Sequence, residues 1–232
     1  ARKDFMSADQ PVRNEWVKLE HGDALIAVDL QNDFMPGGAL GVREGDTIVE
    51  GVNSVMELFS RGGLTVVLTQ DWHVPEHYSF ASAHEGRNPF DLYEASGLGP
   101  VLWPDHCVQG SEGSDFKKGL KTVFANAIIR KGYHKTIDSY SAFIENDKKT
   151  PTGLEGYLRS RGVERIFICG LALDYCVFFT AVDGIRLGFK VYVIVELTKP
   201  VGSPPESISI AMETMTDKGV HFIHADEIRP RS

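Results

Sequence analysis

Cysteine is scarce in this sequence. Its 232 residues include only Cys107, Cys169 and Cys176, an odd number without the close spacing of a disulfide scaffold. A stapled extracellular fold is therefore excluded, and a reducing, cytoplasmic setting is expected. No long uncharged apolar run is present, so no membrane-spanning helix and no membrane partner are expected. No block of Lys or Arg occurs, and the formal net charge of −8 disfavours phosphate backbones, so nucleic acid is not an expected partner. Internal repeats and low-complexity segments are also missing. The polar, mixed-charge stretch 1–20 lacks the apolar core of a secretory signal and reads as a surface-lying extension. Residues 21–232 read as a single domain, long enough for one core to bury most of its apolar surface. Composition leaves a homo-oligomer open.

Short apolar runs rich in β-branched residues are present, at Ala24–Asp29, Leu64–Gln70, Asn126–Arg130, Arg165–Gly170 and Lys190–Val195, with a weaker one at Val220–Ile223. Runs that are apolar on both faces predict parallel strands covered by helices. Amphipathic stretches at Thr47–Ser60, Pro151–Arg161, Tyr175–Leu187 and Pro204–Lys218 alternate with them. The pattern predicts a three-layer α/β/α sandwich around a mostly parallel sheet of about six strands, with right-handed crossovers. The interval from Asp71 to Ala125 is too long for a plain crossover and predicts a structured excursion.

Ligands of open parallel sheets bind beyond the carboxyl ends of the strands. The first run ends in Asp29, the second leads into Asp71-Trp-His73, the third runs into Lys131, and the fourth leads through Gly170 to Cys176. Cys176 is expected at the first turn of a helix, where the helix dipole and Lys131 would favour the thiolate and free amides could hold an oxyanion. Asp29 suits the proton-transfer partner that a cysteine hydrolase needs, with Lys131 keeping neighbouring anions charged together. Cys169, inside the apolar run Ile-Phe-Ile-Cys, reads as an inert core thiol. Cys107 is unassigned, with packing favoured.

Asp71, His73 and His106 place two imidazoles and a carboxylate in one stretch of the excursion, a set that suits zinc and also accepts iron or manganese. His77 is left open as a further ligand or a supporting residue. His84 and His134 read as loop histidines.

These residues fall in ordered motifs: Val28-Asp-Leu-Gln-Asn-Asp-Phe34, Asp71-Trp-His73, Trp103-Pro-Asp-His-Cys107, Lys131-Gly132, Tyr140-Ser-Ala-Phe143 and Gly170-Leu-Ala-Leu-Asp-Tyr-Cys176. From about Ala24 to Ile223 the sequence resembles the isochorismatase-like hydrolases, and within them the branch that hydrolyses nicotinamide to nicotinate and ammonia for NAD salvage. The resemblance implies a catalytic triad of Asp29, Lys131 and Cys176 and one divalent ion, most simply Zn2+ with Fe2+ or Mn2+ as options, on Asp71, His73 and His106. It implies a cis Leu171–Ala172 peptide and an oxyanion hole from the amides of Ala172 and Cys176. The implied substrate pocket is Phe34, Leu40, Trp103, Tyr140, Leu171 and Ala172, while Phe80 and Phe143 read as core. Three other readings compete: a ureido- or carbamoyl-directed amidohydrolase of the same fold, a catalytically idle binding module, and a thiol redox sensor using Cys107.

Overall fold

The computed structural model describes residues 16–231. The expected extension therefore lies largely outside the described residues. Its last part includes strand β1 (Val17–Lys18), which pairs in parallel with β8 (Ile228–Arg229).

The main sheet consists of β2 (Asp23–Val28), β3 (Thr65–Asp71), β4 (Ala127–Lys131), β5 (Arg165–Leu171), β6 (Lys190–Lys199) and β7 (His221–Ile223). Its order is β4-β3-β2-β5-β6-β7 and every pairing is parallel. This is the predicted doubly covered α/β/α arrangement. The central strands β2, β3 and β5 are buried on both faces almost throughout, as their unbroken apolar runs require. β4 departs from the expectation. It is an edge strand with alternating burial, and Ile128 is about half exposed.

Among the described residues four α-helices flank the sheet: α1 (Val49–Arg61), α2 (Leu154–Ser160), α3 (Phe178–Arg186) and α4 (Ser207–Asp217). In α1, Val52, Val55, Met56 and Phe59 recur at helical spacing and are buried. The ring of Phe59 meets Phe167 of β5 edge to face at 5.3 Å, and burial of such a side chain contributes about 1.5–3 kcal/mol. No helix among the described residues is long and apolar enough to cross a membrane.

Two strand-end features aim the chain at the site. Asp29 directly follows β2 in the left-handed region, φ 49°, which Asp tolerates better than most residues and which turns the chain sharply. At Gly170 (φ +109°) a Cβ would lie 2.1 Å from the Val28 carbonyl oxygen, so only glycine lets β5 approach β2 at the level of Asp29.

Candidate active site

The carboxyl ends of β2, β3, β4 and β5 converge, and each brings one of the expected polar side chains. Lys131, fully buried, is at the centre. Its Nζ is 2.9 Å from Asp29 Oδ2, donates to the Ser139 carbonyl at 2.8 Å and to Cys176 Sγ at 3.4 Å, and makes a short hydrogen bond to Asp71 Oδ1. Asp29 Oδ1 accepts from the Thr69 hydroxyl at 2.6 Å. The Lys131 contact lies off the axis of a good hydrogen bond, so Asp29 Oδ2 keeps acceptor capacity. Cys176 follows β5 in a π-helical turn, Leu173–Val177, that leads directly into α3. The amides of Tyr175 and Val177 donate to the Ala172 carbonyl, and the Leu171–Ala172 peptide is cis.

The second group shares Asp71. Its Oδ2 faces His73 Nε2 at 3.6 Å and His106 Nε2 at 3.8 Å, and one donor atom from each of the three residues falls within 4.8 Å of the others. His73 Nδ1 donates to the Gly132 carbonyl at 2.7 Å, and His106 Nδ1 to the Pro104 carbonyl at 2.8 Å. With Nδ1 protonated on both rings, each Nε2 presents its lone pair to the Asp71 carboxylate. Two acceptor nitrogens aimed at an acceptor oxygen make sense around a cation, and carbonyl-anchored imidazoles are the usual support of metal ligands. His73 Nε2 is buried with no hydrogen-bond partner, which also fits an ion. Gly132 holds this geometry in a second way: at its φ of +72° a Cβ would sit 2.7 Å from the His73 ring.

His77 does not join the set. Its Nε2 donates to the carbonyls of His134 and Ile137 at 2.8 and 3.1 Å, and its Nδ1 meets the Ser79 hydroxyl at 2.7 Å. Burial, reinforced by neighbouring His73, holds its pKa down at about 4. It is a neutral ring packed against His73, 4.5 Å between centroids.

Both groups open into one small, largely apolar cavity. Phe34, Leu40, Trp103, Tyr140 and Ala172 line it, with Asp71, His106 and Cys176 at its polar end. Trp103 Nε1 donates to the Tyr140 hydroxyl at 3.0 Å, which donates to the Gly99 carbonyl at 2.7 Å. Leu171 does not line the cavity. Its side chain is buried toward Gly45, and only its peptide bond to Ala172 reaches the site. The reason is the strand alternation: Leu171 is still the last residue of β5, and its side chain points to the opposite side from the turn that follows.

Residues 23–227 match the Isochorismatase domain family. The chain belongs to that family. It is 43% identical to a nicotinamidase of Acinetobacter baylyi over 212 residues, covering 91% of this chain and 97% of the relative. A solved nicotinamidase/pyrazinamidase of Acinetobacter baumanii superposes with a TM-score of 0.85 at 43% identity, over 90% of this chain and 98% of that one. A Pyrococcus horikoshii pyrazinamidase solved in complex with zinc gives 0.72 at 37% identity, over 88% and 99%.

In this member of the isochorismatase family, five residues about the site carry no expectation from the sequence. Asp138 lines the cavity and is 4.0 Å from His73 Nε2; its place in the loop between Lys131 and Tyr140 was a usable signal. Tyr175 and Val201 complete the cavity wall. Gln31 binds the backbone of Asp71 through both amide atoms, each at 2.8 Å. Asp33, part of the same motif as Asp29, accepts the Cys107 amide at 2.7 Å and so fixes the loop that carries His106.

The electrostatics correct one expectation. For Cys176, burial and the charges of Asp29 and Asp71 outweigh Lys131 and push the thiol well above its ordinary pKa. The expected resting thiolate is replaced by a thiol beside a base. Burial also raises Asp29, against the pull of Lys131. Asp71 goes the other way: burial works against its charge, but the Lys131 ammonium holds it well below the carboxylate range. Burial opposes the charge of Lys131 too, and Asp29 and Asp71 together raise it well above an ordinary lysine. Burial pushes up both Cys107, well above an ordinary thiol, and Cys169, to about 12, which suits packing rather than a redox sensor.

A raised thiol pKa has a definite pH signature. Because the reactive species is the thiolate, alkylation of Cys176 by iodoacetamide in the chelator-treated protein is expected to climb about tenfold per pH unit from pH 7 through 9. A plateau reached by pH 7 would mean the thiolate is already formed and would contradict the balance of charges described above.

Proposed function

We propose that the chain is a metal-dependent nicotinamidase that hydrolyses nicotinamide to nicotinate and ammonia, a reaction that returns the pyridine ring to NAD synthesis. The observation that carries the reading is the single ammonium of Lys131 joining the Asp29–Cys176 pair to the Asp71/His73/His106 set at one end of a small aromatic cavity. The similarity to amide hydrolases over most of the chain supports it.

Phe34, Trp103 and Tyr140 hold the flat ring with its carboxamide carbon against Cys176 Sγ, and such positioning replaces a bimolecular encounter. A divalent ion on Asp71, His73 and His106 would supply a coordination position for the ring nitrogen and for water. Asp29 Oδ2 takes the thiol proton as Sγ bonds to the carboxamide carbon, and the carbonyl electron pair moves onto oxygen. The amides of Ala172 and Cys176 hold that oxygen, an interaction worth about 3–4 kcal/mol per donor. The C–N bond then breaks and Asp29 returns the proton to the departing ammonia. Water, deprotonated by Asp29, attacks the thioester; the C–S bond breaks, Sγ recovers the proton from Asp29, and the released acid gives its proton to solvent and leaves as nicotinate. Lys131 keeps Asp29 anionic between these transfers and limits the build-up of negative charge around the sulfur.

The test is ammonia release from nicotinamide by purified, metal-analysed protein. Turnover is expected to vanish on chelation, by at least about a hundredfold, and to return with Zn2+, Fe2+ or Mn2+. Faster release from an N-carbamoyl amino acid than from nicotinamide, or full activity without metal, would replace this reading with that of a carbamoyl-directed relative.

A further inference from the structure

The π-helical turn that carries Cys176 also carries a buried carboxylate for which the mechanism above has no use. Asp174 is 3% exposed. It accepts the Val201 amide on Oδ1 at 2.8 Å, and on Oδ2 the Gly202 amide at 2.8 Å and the Ser207 hydroxyl at 2.5 Å. All three donors belong to the stretch that runs from the end of β6 into the first residue of α4. The next residue, Tyr175, makes a further short hydrogen bond from its hydroxyl to the Ser203 carbonyl. Val201 is the contribution of this stretch to the cavity wall. β6 reaches this position only because its register against β5 shifts after Val193, so that Thr198 and Lys199 pair with Gly170 and Leu171.

We propose that Asp174 is a positioning residue: its carboxylate straps the 200–207 stretch to the nucleophile turn so that Val201 closes the cavity, and this strap decides which ring sizes the site accepts. The inference rests on the proposed reading of the site as one for a pyridine carboxamide. The physical basis is that one ionised acceptor satisfied by three donors is stronger than three neutral bonds, and that it fixes two segments separated by about 30 residues with little flexible side chain between them. An apolar wall set by such a bond rejects larger rings by steric exclusion, which a loosened wall does not.

Two variants and two readouts test this. Asp174→Asn keeps the shape but places an NH2 group against at least one of the three donors. Ser207→Ala removes one donor at a distance from the nucleophile turn and leaves that turn's own bonds intact. Hydrogen exchange in the whole protein should show the Val201 and Gly202 amides exchanging at least about tenfold faster in Asp174→Asn. In Ser207→Ala the KM for nicotinamide should rise about threefold to tenfold with kcat within about threefold of the parent. In the same variant the preference for nicotinamide over the bicyclic quinoline-3-carboxamide should narrow by a similar factor, which general damage to the fold would not produce. Unchanged exchange in Asp174→Asn overturns the strap. Faster exchange with an unchanged preference in Ser207→Ala overturns its role in selecting the ring. A parent protein inert toward both amides overturns the substrate reading and the ring selection with it, while the exchange result still decides whether the strap exists.

Discussion

Replacing Cys176 with Ala is expected to cut ammonia release from nicotinamide by at least about 10⁴-fold while leaving the metal content of the protein at that of the parent. The size follows from the covalent route: without sulfur there is no thioester, and removing the nucleophile of a hydrolase that acts through a covalent intermediate costs about 10⁶ in kcat when nothing substitutes for it. The retained metal follows from geometry, because the three ligand atoms come from Asp71, His73 and His106, none of which touches the sulfur through a hydrogen bond. Stability should change little, since the lost group is a small thiol crowded by two carboxylates that raise its pKa. Metal analysis and single-turnover ammonia assays on the same preparation check both halves. Residual turnover above about a tenth of the parent would place the chemistry on water activated elsewhere and remove Cys176 from the reaction. Loss of metal in the same variant would show that Cys176, whose sulfur lies within 4.8 Å of a carboxylate oxygen of Asp71, helps to hold the ion.

What was legible in the sequence was largely what local pattern controls. The apolar runs at Ala24–Asp29, Leu64–Gln70 and Arg165–Gly170 become strands shifted by a residue or so, because a buried parallel strand needs an unbroken apolar run and little else has one. The placing of Asp29, Asp71, Lys131 and Cys176 at one sheet edge follows from strand polarity alone. Tertiary quantities were not legible. The run at Asn126–Arg130 reads as buried on both faces, yet β4 lies at the sheet edge, and nothing in five residues says which strand has only one neighbour. The thiol of Cys176 was expected to ionise easily because a helix start and a lysine are sequence features, whereas full burial beside two carboxylates is a property of the packed site. Tyr175 follows Asp174 in the very motif that holds the nucleophile, but a motif does not say which of its residues face a cavity. Val201 had no signal at all, since it reaches the site through a register shift in β6.

The burden on Lys131 leads to the second large effect. Lys131→Met keeps the length of the side chain and deletes its charge, leaving Asp29 and Asp71 buried side by side without their common cation. Breaking a buried ion pair from one side costs about 3–5 kcal/mol, which for a chain of this size lowers Tm by about 10 °C. The pH dependence should reverse along with it. In the parent, Asp71 is held below the carboxylate range, so it adds stability above that range and loses it as pH falls through its lowered value. In the variant burial is no longer opposed, Asp71 rises above its unfolded value alongside Asp29, and stability is instead lost as pH rises through the raised values. The variant should therefore be most stable at mildly acidic pH and weaken toward neutral pH, where the Asp71 contribution to the parent is fully retained. Added Zn2+ should raise the variant's Tm more than the parent's, because the ion then becomes the nearest positive charge left to Asp71. Activity should fall by about 10²–10⁴-fold at every pH and metal concentration, since Asp29 spends its time protonated and cannot accept from the thiol. Thermal unfolding between pH 5 and 8, with and without Zn2+, decides the matter. A loss of less than about 2 °C with an unchanged pH profile would mean that the carboxylates do not depend on Lys131, and the electrostatic frame of the site would have to be rebuilt around another cation.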